Sequence, residues 1–357
     1  MSGSETESRR VLLTFQHPGH VHFFKHAYRE LRASNHEAAV VIRNEPVVAE
    51  LCEAYDIDYR VLSEAADSLP SITAAQLRFE VGLFRFARKF SPEVIAAIGG
   101  VAAAHISRLT GTRGIIFTDT EHATLSNALA FPFADLICTP SCYRDDLGFR
   151  QYRYDGYHEL AYLSPGRFSP DPSVLESAGV DPEERFVVLR LSSWDALHDV
   201  GQGGFDDAVE VVERLESMGV RVLIVSSSPL PTEIELRRAN VEPHQLHDLL
   251  AYATLFVGEG ATTATESAVL GTPAVYVNTL SAGTLAELEE RYGLLFGFQG
   301  PDRHRRGLER AIEILEGPDD GRWERRRQRL LSEKCDTTEI VTHLLTDEQL
   351  PRQQATI

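Results

Sequence analysis

The 357-residue sequence predicts an α/β protein made of two doubly wound, Rossmann-like halves that face a cleft. Three observations carry this. Short apolar runs alternate with amphipathic stretches across the first part of the chain, and the same alternation starts again after residue 186. The short runs are continuously apolar, which suits parallel strands buried on both faces. Between the two series lies Ser164 to Asp171, rich in Pro, Ser and Asp, which reads as a linker. The expected layout is a loose lead-in over 1–9, a first domain over 10–165, a second over 166–345 and a tail over 346–357.

The elements follow in order. Val11 to Phe15 is a buried strand, followed by the turn Gln16-His-Pro-Gly-His20. Phe24, Ala27, Tyr28 and Leu31 give the next helix a core-facing stripe, and Asn35 is a plausible left-handed stop. Strands are expected at Ala38 to Ile42, Tyr59 to Leu62, Val94 to Ile98, Gly114 to Phe117 and Asp135 to Cys138. Helices fill the gaps at Val47 to Tyr55, Ile72 to Phe90 and Ala102 to Leu109. Residues 143–165 break the rhythm with five tyrosines. In the second half, Phe186 to Leu191 and Arg221 to Ser226 read as strands, and Asp206 to Met218 and Leu246 to Ala253 as helices.

The composition narrows the function. The net charge is −18, and Lys25, Lys89 and Lys334 are the only lysines. Such an acidic, lysine-poor surface suits a salt-rich, halophilic cytoplasm and argues against nucleic-acid binding, which needs a basic face. The first ten residues lack the apolar core of a signal peptide, so a cytoplasmic protein is expected. Arginines cluster at Arg303 to Arg310 and Arg322 to Arg327. They read as solvated helix faces, with peripheral contact to an acidic membrane surface as the alternative. Cys138 and Cys142 form a lone C-x₃-C, so buried free thiols are expected rather than zinc ligands.

The most informative stretch is LFVGEGATTATESAVLGTPAVYVN, from Leu255 to Asn278. It reads as strand, glycine turn, helix, stop and strand. Gly258 and Gly260 would let a ligand approach bare backbone. Thr263 to Glu266 fits S/T-x-x-E, a capping box expected to start the helix there. A helix N-terminus fed by a strand is an anion site, because unpaired N–H groups and the positive dipole end converge. The alternative is a glycine turn that binds nothing, with Glu266 only completing the box.

Resemblance enters at these residues. G-x-G-A-x-T-x-x-E-x-x-x-L-G-T-P is similar to the donor motif of two-domain GT-B glycosyltransferases, above all the enzyme that adds N-acetylglucosamine to the peptidoglycan lipid precursor. The resemblance implies that Gly258, Gly260, Ala261, Thr262 and Thr263 hold a diphosphate and that Glu266 holds the ribose. The chain looks closer still to a mostly archaeal GT-B-like family whose activity is not settled. The shared pieces are His17-Pro-Gly-His20-Val-His22-Phe-Phe-Lys25, Asp119-Thr-Glu-His122, Tyr157-x-Glu159-Leu-Ala-Tyr-Leu163 and Trp194-x-x-x-His198-Asp199.

Three further clusters could carry chemistry. His17, His20 and His22 follow the first strand. His20 matches the histidine that ends the transferase's glycine-rich loop, which makes it a candidate general base or phosphate partner. The alternatives are that these histidines cap and pack the turn, or that His22 and His26 bind a metal, for which no acidic partner stands on that face. Asp119, Glu121 and His122 follow a later strand and could supply a base to an acceptor hydroxyl, or cap a helix. Arg190, Ser193, Trp194 and His198 follow the first strand of the second half. Arg190 lies in an apolar run and needs an anionic partner, and Trp194 could stack on a sugar or base.

The expected function is therefore a glycosyltransferase that takes a sugar from a nucleotide-diphosphate sugar, the donor being a substrate and no cofactor being required. Its acceptor would be a lipid-linked or glycan molecule. The alternatives are a non-hydrolysing nucleotide-sugar 2-epimerase and a binding protein without chemistry. The epimerase ranks lower, because its His-Gly-Asp-Thr is replaced by Ile98-Gly-Gly-Val101, which removes a carboxylate.

Overall fold

The computed structural model describes residues 8–64, 69–191, 207–226, 228–318 and 320–347. The chain divides into two compact units: one runs to Tyr162 and resumes at Asp336, and the other spans Leu163–Cys335. Each carries one parallel sheet.

The first unit has seven strands: β1 (Arg10–Phe15), β2 (Glu37–Asn44), β3 (Tyr59–Glu64), β4 (Val94–Ile98), β5 (Arg113–Phe117), β6 (Leu136–Pro140) and β7 (Gln151–Tyr154). They stand in the order β3-β2-β1-β4-β5-β6-β7. The order reverses between β1 and β4, and loops at such a switch point leave a crevice at the carboxyl ends of the strands. The helices are α1 (Pro18–Ala33), α2 (Pro46–Ala54), α3 (Leu69–Phe90), α4 (Val101–Thr110), α5 (Thr124–Ala130) and the short α6 (Leu160–Leu163). Asn35 adopts φ 62°, the left-handed stop expected after α1. The irregular tyrosine-rich region contains one unexpected element. β7 pairs with β6 in parallel, and Tyr152 and Tyr154 are both buried.

The second unit has β8 (Phe186–Arg190), β9 (Arg221–Val225), β10 (Leu255–Gly258), β11 (Ala274–Val277) and β12 (Leu295–Phe298), in the order β12-β11-β10-β8-β9. Its helices are α7 (Ser173–Ser177), α8 (Ala208–Glu216), α9 (Leu246–Tyr252), α10 (Ala261–Leu270), α11 (Gly283–Glu287), α12 (Arg303–Glu316) and α13 (Arg322–Glu333). The amphipathic α8 buries Val211, Val212 and Leu215 and is capped by Asp207, whose side chain accepts from the amides of Val209 and Glu210. The switch point here falls between β8 and β10. The expected linker docks onto this unit: Tyr252 donates to the Pro170 carbonyl at 3.2 Å, and the Asp171 amide donates to Asp248 at 2.9 Å.

The last described helix, α14 (Thr337–Thr346), packs on the first unit, although the sequence reading groups it with the second. Thr337 and Thr338 donate to the carbonyls of Tyr157 and Ala161 at 2.7 and 2.6 Å, and Val341, Leu344 and Leu345 are fully buried. The apolar stripe on α14 shows that it needs a partner, not which sheet supplies one.

The arginines of α12 and α13 lie on charged faces. Arg305 pairs with Glu309, Arg310 with Glu313 and Arg329 with Glu333. None of the four cysteines is in a disulfide; Cys52 and Cys138 are buried and Cys142 and Cys335 partly exposed. Among the described residues, no helix is long and apolar enough to cross a membrane.

Candidate functional site

In the second unit the site forms at the β8/β10 switch point. Arg190, the last residue of β8, is the register partner of Gly258, the last residue of β10. Gly258 serves close packing. A Cβ there would lie 2.6 Å from Phe256 Cζ and 3.0 Å from the Arg190 carbonyl, so only glycine lets the strands approach this closely. Gly260 is the N-cap of α10 at φ −93°, and no side chain caps the helix. Arg190 Nε passes within 3.5 Å of the position a Gly260 Cβ would occupy.

α10 therefore starts at Ala261, and the expected capping box does not form. Thr263 and Glu266 sit inside the helix, buried, and Thr263 is not the cap. The first intrahelical bond runs from Ala264 to the Gly260 carbonyl, so the first-turn amides of Ala261, Thr262 and Thr263 are not bonded along the helix axis. The chain has placed a guanidinium and a row of helix-terminal donors at one spot. Burial pushes the Arg190 pKa down and the Glu266 carboxylate opposes the shift, so the guanidinium stays charged. Among the described residues, the Arg190 guanidinium makes no hydrogen bond or ion pair, and Glu266 acts on it only through its charge.

Glu266 is only 4 % exposed, and its Oε1 lies 2.9 Å from His247 Nε2 on α9. His247, in the first turn of α9, is thus tied to the candidate site through Glu266. Ser193, Trp194 and His198 lie outside the described residues.

The first unit gathers a separate cluster at the carboxyl ends of β1 and β5. His17 is the N-cap of α1, and its Nδ1 accepts from the Gly19 amide at 3.2 Å, so its observed role is to cap the turn. His20 Nδ1 accepts from the Gln16 amide at 3.3 Å, and the ring also hydrogen-bonds the Thr14 backbone. Burial, with help from nearby His17 and His158, pushes the His20 pKa down to about 3. Held neutral in this way, the imidazole is a weak base. His22 is packed: its Nδ1 meets the Tyr55 hydroxyl at 3.3 Å, and its ring stacks on Tyr162 with centroids 5.3 Å apart. Among the described residues, no group of three or more His, Cys, Asp or Glu is placed to hold a metal.

Asp119 does not cap α5, whose N-cap is Ala123 without a side-chain bond. Its Oδ2 lies 3.4 Å from Nδ1 of His158, and its Oδ1 accepts from Thr120 at 2.8 Å. His158 is buried between Phe23 and Tyr154, and its Nε2 has no partner among the described residues. Burial lowers its pKa and Asp119 opposes the shift. Sequence reasoning missed His158. The only signal was its place between Tyr157 and Glu159, at the variable position of a shared motif. Glu121 Oε1 accepts from the Arg144 amide at 3.1 Å, and His122 is exposed in the turn ahead of α5.

Comparison with known proteins agrees with this architecture. The uncharacterized protein MJ0665 of Methanocaldococcus jannaschii is 22% identical over 268 residues, covering 72% of this chain and 78% of that protein. A UDP-N-acetylglucosamine 2-epimerase superposes with a TM-score of 0.66 at 12% identity, covering 98% of this chain and all of the other. The glycosyltransferase VinC, solved in complex with dTDP, superposes with a TM-score of 0.63 at 14% identity, covering 95% of this chain and all of the other. The two solved structures share the fold, that of GT-B glycosyltransferases and nucleotide-sugar epimerases. Residues 10–283 match the family described as protein of unknown function DUF354, and the chain belongs to that family.

Proposed function

We propose that the chain is a glycosyltransferase whose second unit binds the diphosphate of a nucleotide sugar. One observation carries this reading: the Arg190 guanidinium, which among the described residues makes no hydrogen bond or ion pair, lies beside the uncapped N-terminus of α10. A diphosphate satisfies both, with a guanidinium pairing to phosphate oxygens and helix amides taking the rest. The dTDP in VinC supports a nucleotide ligand for this fold. Glu266 faces the ribose in this reading, held in place by His247.

In the transfer, an acceptor hydroxyl attacks the anomeric carbon and the bond from that carbon to the donor phosphate oxygen breaks. The leaving diphosphate gains charge, which Arg190 and the α10 amides stabilise. Within the first unit, His158 beside Asp119 is the candidate acceptor for a hydroxyl proton, with Asp119 stabilising the imidazolium. Gly99 and Gly100 supply no carboxylate where the epimerases carry one, so transfer is preferred to epimerisation.

The test is a thermal-shift screen in high salt with UDP, GDP, CDP and dTDP. One of them stabilises the protein, and Arg190→Ala removes the shift. No shift with any of the four overturns the reading. Incubation with the matching labelled nucleotide sugar then separates transfer to an acceptor from epimerisation without one.

A further inference from the structure

An open cavity of about 540 Å³ lies wholly within the first unit, between α5 and the loop that joins β6 to β7. Phe131, Pro132, Leu147 and Phe149 form its apolar walls. Phe149 lines the cavity and is 95 % exposed, with the Arg150 guanidinium 5.4 Å from its ring centroid. A phenyl left this far in water, with Leu125, Leu129 and Phe133 also exposed nearby in sequence, marks a surface that something covers. The volume is that of a small-molecule site.

The polar groups of the cavity say what that molecule is. Tyr143 is 3 % exposed, and its hydroxyl has no hydrogen-bond partner among the described residues. A buried phenol in that state is costly unless a ligand oxygen completes it. Glu121 and Asp145 line the same cavity. Together with burial they push the Tyr143 acidity down, its pKa rising to about 12, so the phenol keeps its proton and donates. The one lining cation is Arg150, and its Nη1 is bonded to the carbonyls of Phe131, Pro132 and Ala134. Arg153, behind the loop, is likewise bonded to the carbonyls of Ser141, Tyr143 and Asp145. With two lining carboxylates against one lining arginine, whose Nη1 is already bonded to carbonyls, the cavity disfavours an anionic ligand.

We propose that this cavity binds an uncharged alcohol with an apolar body. The hydroxyl is both donor and acceptor: it donates to a carboxylate, Glu121 or Asp145, and receives the Tyr143 O–H. The apolar body lies on Phe131, Pro132, Leu147 and Phe149. On the glycosyltransferase reading, on which this role rests, that alcohol is the sugar acceptor. It is then a neutral alcohol, not a phosphate-bearing lipid.

Calorimetry on the full chain with matched probes tests this. Farnesol and 1-naphthol are uncharged; farnesyl phosphate and 1-naphthyl phosphate carry the same bodies with an anion. At least one alcohol binds saturably, and at least tenfold more tightly than its phosphate ester. Phe149→Ala, at an exposed position that the fold does not need, weakens that alcohol at least fivefold, as does Tyr143→Phe. Glu121→Gln narrows the gap between alcohol and ester. The proposal is overturned if neither alcohol binds, if an ester binds as tightly as its alcohol, or if Phe149→Ala leaves the affinity unchanged. A parallel titration with the nucleoside diphosphates keeps the two readings apart. Alcohol binding without nucleotide binding leaves this site standing and removes the transferase reading, and the converse removes only this site.

Discussion

His247 and Glu266 form a buried pair, with Nε2 and Oε1 2.9 Å apart and side chains only 2 % and 5 % exposed. α9 and α10 thus meet through a polar contact next to Arg190, whose charge Glu266 also feels. Removing one partner strands the other away from water. His247→Leu is expected to cost about 3 kcal/mol, as breaking a buried pair does. Replacing both residues by leucine is expected to return part of that loss, because the contact between them is removed from both sides. Urea unfolding of the two single variants and the double variant measures the coupling. Additive losses would mean that the pair does not act as a unit.

Gly258 and Gly260, two residues apart, should answer differently to alanine. Gly258→Ala puts a methyl 2.6 Å from Phe256 Cζ and 3.0 Å from a backbone carbonyl, and is expected to destabilise by about 1–3 kcal/mol. At Gly260 the nearest atom is Arg190 Nε at 3.5 Å, and φ is −93°, so Gly260→Ala should fold with nearly unchanged stability. Its methyl would stand where the proposed diphosphate approaches the α10 amides, and the nucleotide-induced thermal shift should shrink. A Gly260→Ala variant with full nucleotide binding would move the anion site elsewhere.

These glycines show what the sequence revealed and what it hid. The apolar runs were enough to expect parallel strands, because burial on both faces leaves a continuous apolar signature. The Gly258 to Leu270 motif pointed to a turn and a helix, and both are present. The local rule S/T-x-x-E nevertheless misplaced the helix start by about two residues, because the helix begins uncapped at Ala261. His158 and His247 were unreadable as partners of Asp119 and Glu266. Those pairs span 39 and 19 residues, and only the sheet order brings them together. α14 was unassignable for the same reason.

Arg190→Ala should separate binding from folding. Among the described residues Arg190 makes no ion pair to lose, so stability without ligand should change little, or rise as a charge that burial disfavours is removed. Loss of a charge-assisted phosphate contact is worth about 1.5–3 kcal/mol, a roughly ten- to hundredfold weaker nucleotide diphosphate. Isothermal titration against the nucleotide found in the screen reads this directly. Unchanged affinity would exclude Arg190 from the site.

Acid should destabilise the first unit through its histidines. His20 titrates near 3 in the folded chain against an ordinary 6.5, so between those values the unfolded chain takes up a proton that the folded chain refuses. This cost is absent above pH 6.5 and grows as pH falls toward 3. The partial exposure of His20 reduces its size. His20→Gln, which cannot titrate, should flatten the pH dependence of the urea midpoint between pH 7 and 4.5. Carboxylates titrate alike in both proteins, so the difference between the slopes isolates His20. Parallel slopes would show that the folded state does not hold His20 neutral.

Asp119 and His158 give a sharper test, because their coupling has a sign. Burial lowers the His158 pKa and Asp119 raises it. Asp119→Asn keeps the shape, removes the charge and should push the His158 pKa lower still. NMR of the His158 ring protons across pH reads this without any assay of activity. The same variant should weaken a base acting through His158, so transfer, once a donor and acceptor are found, should fall at neutral pH while nucleotide binding in the second unit is unaffected. A His158 pKa that rises in Asp119→Asn, or that does not move, would mean that the 3.4 Å contact is not an electrostatic pairing, and Asp119 would lose its place in the proposed mechanism.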